Sequence, residues 1–312
     1  MKILVTGGAG FIGSHVVDAC VAAGHDVLVV DNLCTGKREN LNPKARFHEL
    51  DILDAKTADL IRDERPDVLN HHAAQMDVRR SVADPLFDAR TNVLGTIALL
   101  EASRQAGVKK VLFVSSGGAV YGEQETFPAP ETHPTWPVSP YGVSKRSGEL
   151  YCHFYFAEYR MPFVAFRYAN VYGPRQDPTG EAGVVSIFCS KMLAGSNPTI
   201  FGDGSQTRDY VYIGDVVSAF LAAADQRRPG TWNIGTGAEV SVLDLVRVVA
   251  EAAGRTADYA LAPPRPGELQ RSALAVDRAR LDLGWKATTG LDEGVRAVCD
   301  WIKAGTPDRA AF

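Results

Sequence analysis

Three stretches of the 312-residue chain carry side chains whose types and spacing could do chemistry. Ser139-Pro140-Tyr141-Gly142-Val143-Ser144-Lys145 reads as a helix start, with Ser139 as N-cap and Pro140 as the first helical residue, so Tyr141 and Lys145 share one helical face. An ammonium beside a phenol stabilises phenolate. The pairing is therefore expected to lower the tyrosine pKa from about 10 toward neutrality, where it can exchange a proton with a substrate hydroxyl. Ser115-Ser116-Gly117-Gly118-Ala119-Val120-Tyr121-Gly122 follows the apolar run Val111 to Val114 and offers two hydroxyls and a phenol close together. Those serines could equally form a strand-end turn that satisfies its own backbone. Thr6-Gly7-Gly8-Ala9-Gly10-Phe11-Ile12-Gly13 places glycines at 7, 10 and 13. Gly7 permits a tight turn, Gly10 lets a pyrophosphate approach the backbone, and Gly13 permits close helix-to-strand packing. The following helix N-terminus then turns free N–H groups toward the phosphates.

The glycine triplet alone could be a mere strand-to-helix turn, but Asp31 closes the next apolar run, where an acidic residue accepts hydrogen bonds from the ribose hydroxyls of a dinucleotide. A carboxylate there repels a 2′-phosphate, and Asn32 and Leu33 follow with no arginine, which favours NAD over NADP. Asp51-Ile52 could embrace the adenine, although an aspartate this close to a helix start near Asp54 could be simply a cap.

These residues need elements to hold them. Ile3 to Val5, Val27 to Val30, Val68-Leu69 and Val111 to Val114 are short apolar runs of the kind that form strands buried on both faces. Phe11 to Ala23 and Leu86 to Ala106 have apolar residues at helical spacing, closed by Gly24 and Gly107. The alternation predicts an α/β fold with a doubly wound parallel sheet of the Rossmann type. After about Asn170 the regularity loosens, and Pro263-Pro264-Arg265-Pro266-Gly267 is the strongest loop signal.

Composition excludes several classes. A net charge of −4 gives no reason to expect nucleic acid, whose binding normally requires a basic face. Five scattered cysteines without a C-x-x-C pair argue against a disulfide framework or a structural zinc, and fit a reducing cytoplasm. Met1-Lys2 runs directly into a short apolar segment ending at Gly7, so no leader is expected, and no apolar stretch approaches membrane-spanning length.

TGGAGFIG at 6–13, the Y-x-x-x-K helix, RYANVYGPRQ at 167–176, GDGSQTRDYVYIGDVV at 202–217 and the closing Leu283-Gly284-Trp285 together resemble the extended short-chain dehydrogenase/reductase family. Within it the chain is most similar to the nucleotide-sugar epimerases of the UDP-glucose 4-epimerase type. The resemblance implies a Rossmann NAD-binding domain over 1–169 with a return near 211–236. A smaller α/β nucleotide-sugar-binding lobe would comprise 170–210 and 237–312. It also implies an isomerase, with NAD retained and recycled, that interconverts UDP-glucose and UDP-galactose through a transient 4-keto sugar. Tyr141 would act as base and then acid, with Lys145 on the nicotinamide ribose. Cofactor contacts would come from Gly7, Gly10, Phe11, Ile12, Gly13, Asp31, Asn32, Asp51, Ile52, Ala74, Asn92, Ser115, Tyr141, Lys145 and Tyr168. Asn170, Phe201, Arg208, Arg265, Glu268 and Ser272 would face the UDP-sugar; a pair of arginines suits a pyrophosphate. Arg208, followed by Asp209, could instead be a structural ion pair, and Glu268 a solvated loop charge. The small Ser272 suggests room for N-acetylated hexosamines. No metal is implied, and His71-His72 reads as structural. Helices starting near Asp84 and Pro140 resemble those that pair in homodimeric relatives.

One position departs from the pattern. Relatives usually carry a hydroxyl three residues before V-Y-G, and here that residue is Gly117. Either Ser116 replaces it or Tyr141 works alone. Related nucleotide-sugar 4,6-dehydratases and decarboxylases place an acid in this stretch, and Gly117-Gly118-Ala119 holds none, which disfavours elimination. A non-catalytic NAD sensor would have lost Tyr141 or Lys145, and both are present.

Overall fold

The computed structural model describes residues 1–178, 183–223, 226, 228–265 and 269–305. Glu268 lies outside the described residues. Seven strands, β1 (Lys2–Thr6), β2 (Asp26–Asp31), β3 (Arg46–Glu49), β4 (Val68–His71), β5 (Lys110–Ser116), β6 (Phe163–Tyr168) and β7 (Gly230–Ile234), pair in parallel in the order β7-β6-β5-β4-β1-β2-β3. The doubly wound parallel sheet is as expected, and its strand order reverses between β1 and β4. That reversal opens a crevice beyond the carboxyl ends of the strands.

Side-chain alternation along the strands feeds two cores. Ile3, Val5, Val27 and Val29 pack on one face with the helices Phe11–Ala22 and Ile213–Ala222. Leu4, Leu28 and Val30 pack on the other with Ala55–Glu64, Gly95–Ala106 and Pro140–Tyr159. A third cluster draws Phe188, Leu245 and Val298 from helices Val184–Leu193, Val242–Ala253 and Leu291–Ala304. Near this third core, the short strands Thr207–Arg208 and Arg271–Ser272 run parallel and set Arg208 opposite Ser272.

The expected helix Leu86 to Ala106 forms as a continuous run from Pro85, interrupted by a π-turn at Arg90–Leu94. Gly107 takes the left-handed C-cap. Asp84 caps the start by accepting from the Phe87 N–H.

A buried ion pair fixes the long helix Pro140–Tyr159 to the sheet. Arg167, on β6, donates to both carboxylate oxygens of Glu149 at 2.8 and 2.7 Å, and the two side chains are 4% and 1% exposed. Arg146 and the Ser115 hydroxyl donate to the same carboxylate, while Arg167 also donates to the Tyr121 hydroxyl. Removing one partner of such a pair leaves an uncompensated buried charge, at a cost of about 3–5 kcal/mol. Arg167→Met is expected to lose roughly that much in urea unfolding, and Glu149→Leu/Arg167→Met less than the single variant. An Arg167→Met chain as stable as the parent would remove the pair from any account of how the helix is held.

Candidate active site

The crevice is shaped first by glycine. Gly7 sits at φ +71°, and a Cβ there would lie 2.6 Å from the Ala73 backbone nitrogen, so β1 and the segment after β4 can approach only without a side chain. The helix Phe11–Ala22 begins at Gly10 with no side-chain cap and no acidic residue in its first turn. Its leading N–H groups are therefore positioned for an anion. Asp31 closes β2 and accepts from Ala9 N at 3.0 Å and Leu33 N at 2.8 Å, which straps the glycine loop to the strand end. Burial raises its pKa above the ordinary carboxylate value, against those two hydrogen bonds. Asn32 donates to Asp51 at 2.7 Å. Phe11 and Ile12 stand half-buried in the helix's first turn, Ile52 is buried, and Ala74 follows Ala73 in the segment that leads to Gln75.

Asn92 lies in the π-turn, an irregularity that often marks function. It accepts from Gln75 N and donates to Gln75 O and Asp88 Oδ1. A chain of hydrogen bonds reaches it from the crevice floor. Thr96 Oγ1 donates to Asn92 O, so it accepts from His71 Nε2–H, and His71 Nδ1 accepts from Thr6. The network thus assigns the neutral Nε2–H tautomer, and burial lowers the His71 pKa to about 3. The structural reading of His71 agrees with this geometry. His72 differs: both of its ring nitrogens, like the Tyr168 hydroxyl, are buried with no hydrogen-bond partner among the described residues. A side-chain-free cradle, an uncapped helix start and orphaned polar atoms are what a dinucleotide would complete, so the residues present fit NAD.

Beside this crevice, three consecutive residues of β5 engage three residues of the helix Pro140–Tyr159, spaced four apart. Lys145 Nζ donates to Val114 O at 2.9 Å. Ser115 donates to Glu149 at 2.6 Å. The Ser116 hydroxyl is the side chain that acts on the Tyr141 phenol, favouring its ionised form. Ser139 caps the helix through Gly142 N and Pro140 starts it, as the sequence predicts. Of the two serines, Ser116 therefore stands with the phenol, while the hydroxyl of Ser115 is committed to the buried ion pair.

The expected drop in the Tyr141 pKa is corrected by the structure. Burial pushes it up to about 12, the nearby Ser116 hydroxyl opposes the rise, and the charge of Asp88 adds to it. The Lys145 ammonium lies 5.9 Å from the phenol ring centre. Its own pKa falls to about 8 through burial, with Asp88 opposing. In the polypeptide itself, desolvation outweighs the tyrosine–lysine pairing that the spacing promises.

Gly117 now has a physical reason. A Cβ there would lie 2.5 Å from a methyl of the fully buried Leu274, and a Cβ at Gly118 would lie 3.8 Å from Ser272 Oγ. The Ser115–Gly122 stretch is thus brought together with Ser272, itself opposite Arg208. Arg208 Nη1 donates to Thr207 O. The carboxylate of Asp209 accepts from Thr236 N and Oγ1, Gly237 N and Leu274 N. Asn170 pairs with Tyr210 in the short ladder Asn170–Tyr172 with Tyr210–Tyr212. Arg265 stacks on the Phe201 ring at 3.9 Å.

Sequence reasoning missed Asp88, Ser144, Gln75 and Glu149. Asp88 and Ser144 had a signal: the first stands four residues before Asn92, and the second lies inside the Y-x-x-x-K motif. Among the described residues no group of three or more His, Cys, Asp or Glu side chains is placed to hold a metal.

The model of the NAD dependent epimerase/dehydratase family matches residues 3–235. The chain is 47% identical over 309 residues to the UDP-glucose 4-epimerase of Mycolicibacterium smegmatis, covering 97% of this chain and 99% of that one. It superposes with a TM-score of 0.95 on the crystal structure of Thermotoga maritima UDP-glucose 4-epimerase with UDP-glucose, at 48% identity, covering 97% of this chain and 99% of that one. Against the Thermus thermophilus UDP-glucose 4-epimerase complex with NAD the TM-score is 0.92, at 45% identity and the same coverage. A match of this extent, on a chain whose glycine cradle and acidic strand end fit the dinucleotide, makes the protein a member of the NAD dependent epimerase/dehydratase family, with NAD as its cofactor.

Proposed function

We propose that the chain is an isomerase that interconverts UDP-glucose and UDP-galactose by inverting the sugar C4 through a transient 4-keto form. The observation that carries this reading is buried Lys145, bonded to Val114 O and 5.9 Å from the Tyr141 ring, with Ser116 acting on the same phenol, next to a Gly117-Gly118-Ala119 stretch without a carboxylate for elimination. The relatives described above are UDP-glucose 4-epimerases, which supports the substrate. Bound at the switch point, NAD supplies a reversible hydride acceptor and, when oxidised, a positive charge. The Tyr141 oxygen takes the proton of the 4-hydroxyl and returns it after the sugar has turned. Ser116 orients the phenol and shares the hydrogen bond to the substrate oxygen. Lys145, bonded to Val114 O, keeps a cation beside the phenol and would hold the nicotinamide ribose. Asn170, Phe201, Arg208 and Arg265 take the nucleotide diphosphate, with Arg265 already seated on an aromatic face.

A second copy of the chain completes the assembly in this reading. Val143, Leu150, Tyr151 and Phe154 form an exposed stripe at helical spacing on Pro140–Tyr159, and Val82, Leu86 and Leu94 are exposed on neighbouring helical segments; Leu86 is 82% exposed. We place the homodimer interface on these surfaces, and the protein in the cytoplasm, where its five free thiols are stable. No helix among the described residues is long and apolar enough to cross a membrane.

Three measurements test these assignments. The purified chain, given a panel of UDP-sugars without added NAD, is expected to yield the C4 epimer by NMR; Tyr141→Phe should lose at least ~10²-fold in turnover, and Ser116→Ala far more than Ser115→Ala. Full activity of Tyr141→Phe sinks the role of the phenol. Ser272 leaves room for an N-acetyl group, so UDP-N-acetylglucosamine should also turn over, and Ser272→Tyr should depress that activity about tenfold or more while sparing UDP-glucose. No detectable turnover of the acetylated sugar by the parent chain removes this extension. Sedimentation should give a dimer that Leu150→Asp/Phe154→Asp converts to monomer; a parent monomer contradicts the interface.

A further inference from the structure

Asp88 is a fully buried carboxylate whose donors are all neutral. Oδ1 accepts from Gln75 Nε2 at 3.0 Å and Asn92 Nδ2 at 2.9 Å. Oδ2 accepts from the Ser144 hydroxyl at 2.6 Å. Ser144 stands on the helix between Tyr141 and Lys145, whereas Asn92 belongs to the π-turn and Gln75 to the segment after β4. A single side chain thus joins the three segments that surround the crevice. Burying a carboxylate among neutral donors is costly, and an amide of the same shape would keep the two ties at Oδ1 and reverse the direction of the one to Ser144.

The charge has specific listeners. Asp88 acts on both Tyr141 and Lys145, and it opposes the burial that drains the ammonium. Among the described residues, the other titratable groups facing this pair do not supply a rival anion. His71 and His72, at the end of β4, are both lowered to about 3 by burial. Glu149, further along the helix, is answered by Arg167 and Arg146.

We propose that Asp88 is the positioning residue of this site, tying Asn92 and Ser144 into one framework and supplying the anion that keeps Lys145 an ammonium beside Tyr141. Its consequence for turnover rests on the epimerase reading; its electrostatic consequence does not. A negative charge favours the protonated form of both neighbours, so removing it lowers both pKa values. The effect is one-directional: the whole pH profile moves to lower pH, by about one unit for a single nearby charge.

The test uses the full chain labelled with 13Cε-lysine and 13Cζ-tyrosine. NMR titration should show the Lys145 midpoint about one unit lower in Asp88→Asn than in the parent, and close to the parent in Ser144→Ala, which keeps the charge and removes one tie. The pH profile of kcat/KM for UDP-galactose should shift with it, with both limbs moving to lower pH. An unmoved Lys145 midpoint in folded Asp88→Asn, or an equal shift in Ser144→Ala, overturns the proposal. A second measurement needs no variant: the Asp88 13Cγ signal of the parent chain at pH 7 is expected at the carboxylate position, and a protonated carboxyl there overturns the proposal by itself. If the parent chain proves inactive on UDP-sugars, the functional reading fails while the Lys145 shift still decides the role of Asp88.

Discussion

The site depends on the contact between the end of β5 and one face of the helix Pro140–Tyr159. Val114, Ser115 and Ser116 engage Lys145, Glu149 and Tyr141, respectively, so consecutive strand positions read out a helix at intervals of one turn. Each contact has a different character: a backbone carbonyl for the cation, a hydroxyl for a buried ion pair, and a hydroxyl beside the phenol. A slip of one residue in the strand would exchange these partners. The Glu149–Arg167 pair resists such a slip, because it ties the same helix to β6, the next strand of the sheet.

The cofactor crevice follows from a second constraint, the reversal of strand order between β1 and β4. Gly7 lets the two strand ends meet, Asp31 draws the glycine loop back toward β2, and the Thr6–His71–Thr96–Asn92 chain carries the polar contacts through an apolar sheet. Every donor and acceptor along that chain is matched, which is why a histidine can sit there uncharged. The cofactor side and the proton-transfer side then converge on Asn92, Asp88 and Ser144.

Much of this was legible in the sequence, for local reasons. Tyr141 and Lys145 fall four apart, Ser139 and Pro140 are helix-start chemistry, and β1, β2, β4 and β5 contain apolar runs that betray burial on both faces. β3 and β7 lack that signature, and in β6 the buried apolar run Phe163 to Phe166 ends on a charged residue. β3 is Arg-Phe-His-Glu on the sheet edge, β6 contains Arg167, and β7 opens on Gly230. Arg167 in particular reads as a surface residue until its partner, eighteen positions earlier, is folded against it. The acidity of Tyr141 failed for the same reason: spacing brings the ammonium near, but desolvation belongs to the tertiary structure. The choice between Ser115 and Ser116 likewise required knowing that Glu149 had already claimed one of them.

Gly117 and Leu274 carry a consequence for how such sites diverge. The methyl of Leu274 fills the volume where a side chain at 117 would begin, and Leu274 arrives from the part of the chain that carries Ser272. Residue choice at the strand end is therefore not an independent variable. A side chain at 117 would require the Leu274 methyls to move, so substitutions at the two positions should be coupled. Ser116 supplies a hydroxyl next to the phenol from the adjacent position, which lets the chain explore either arrangement without passing through a site that has none.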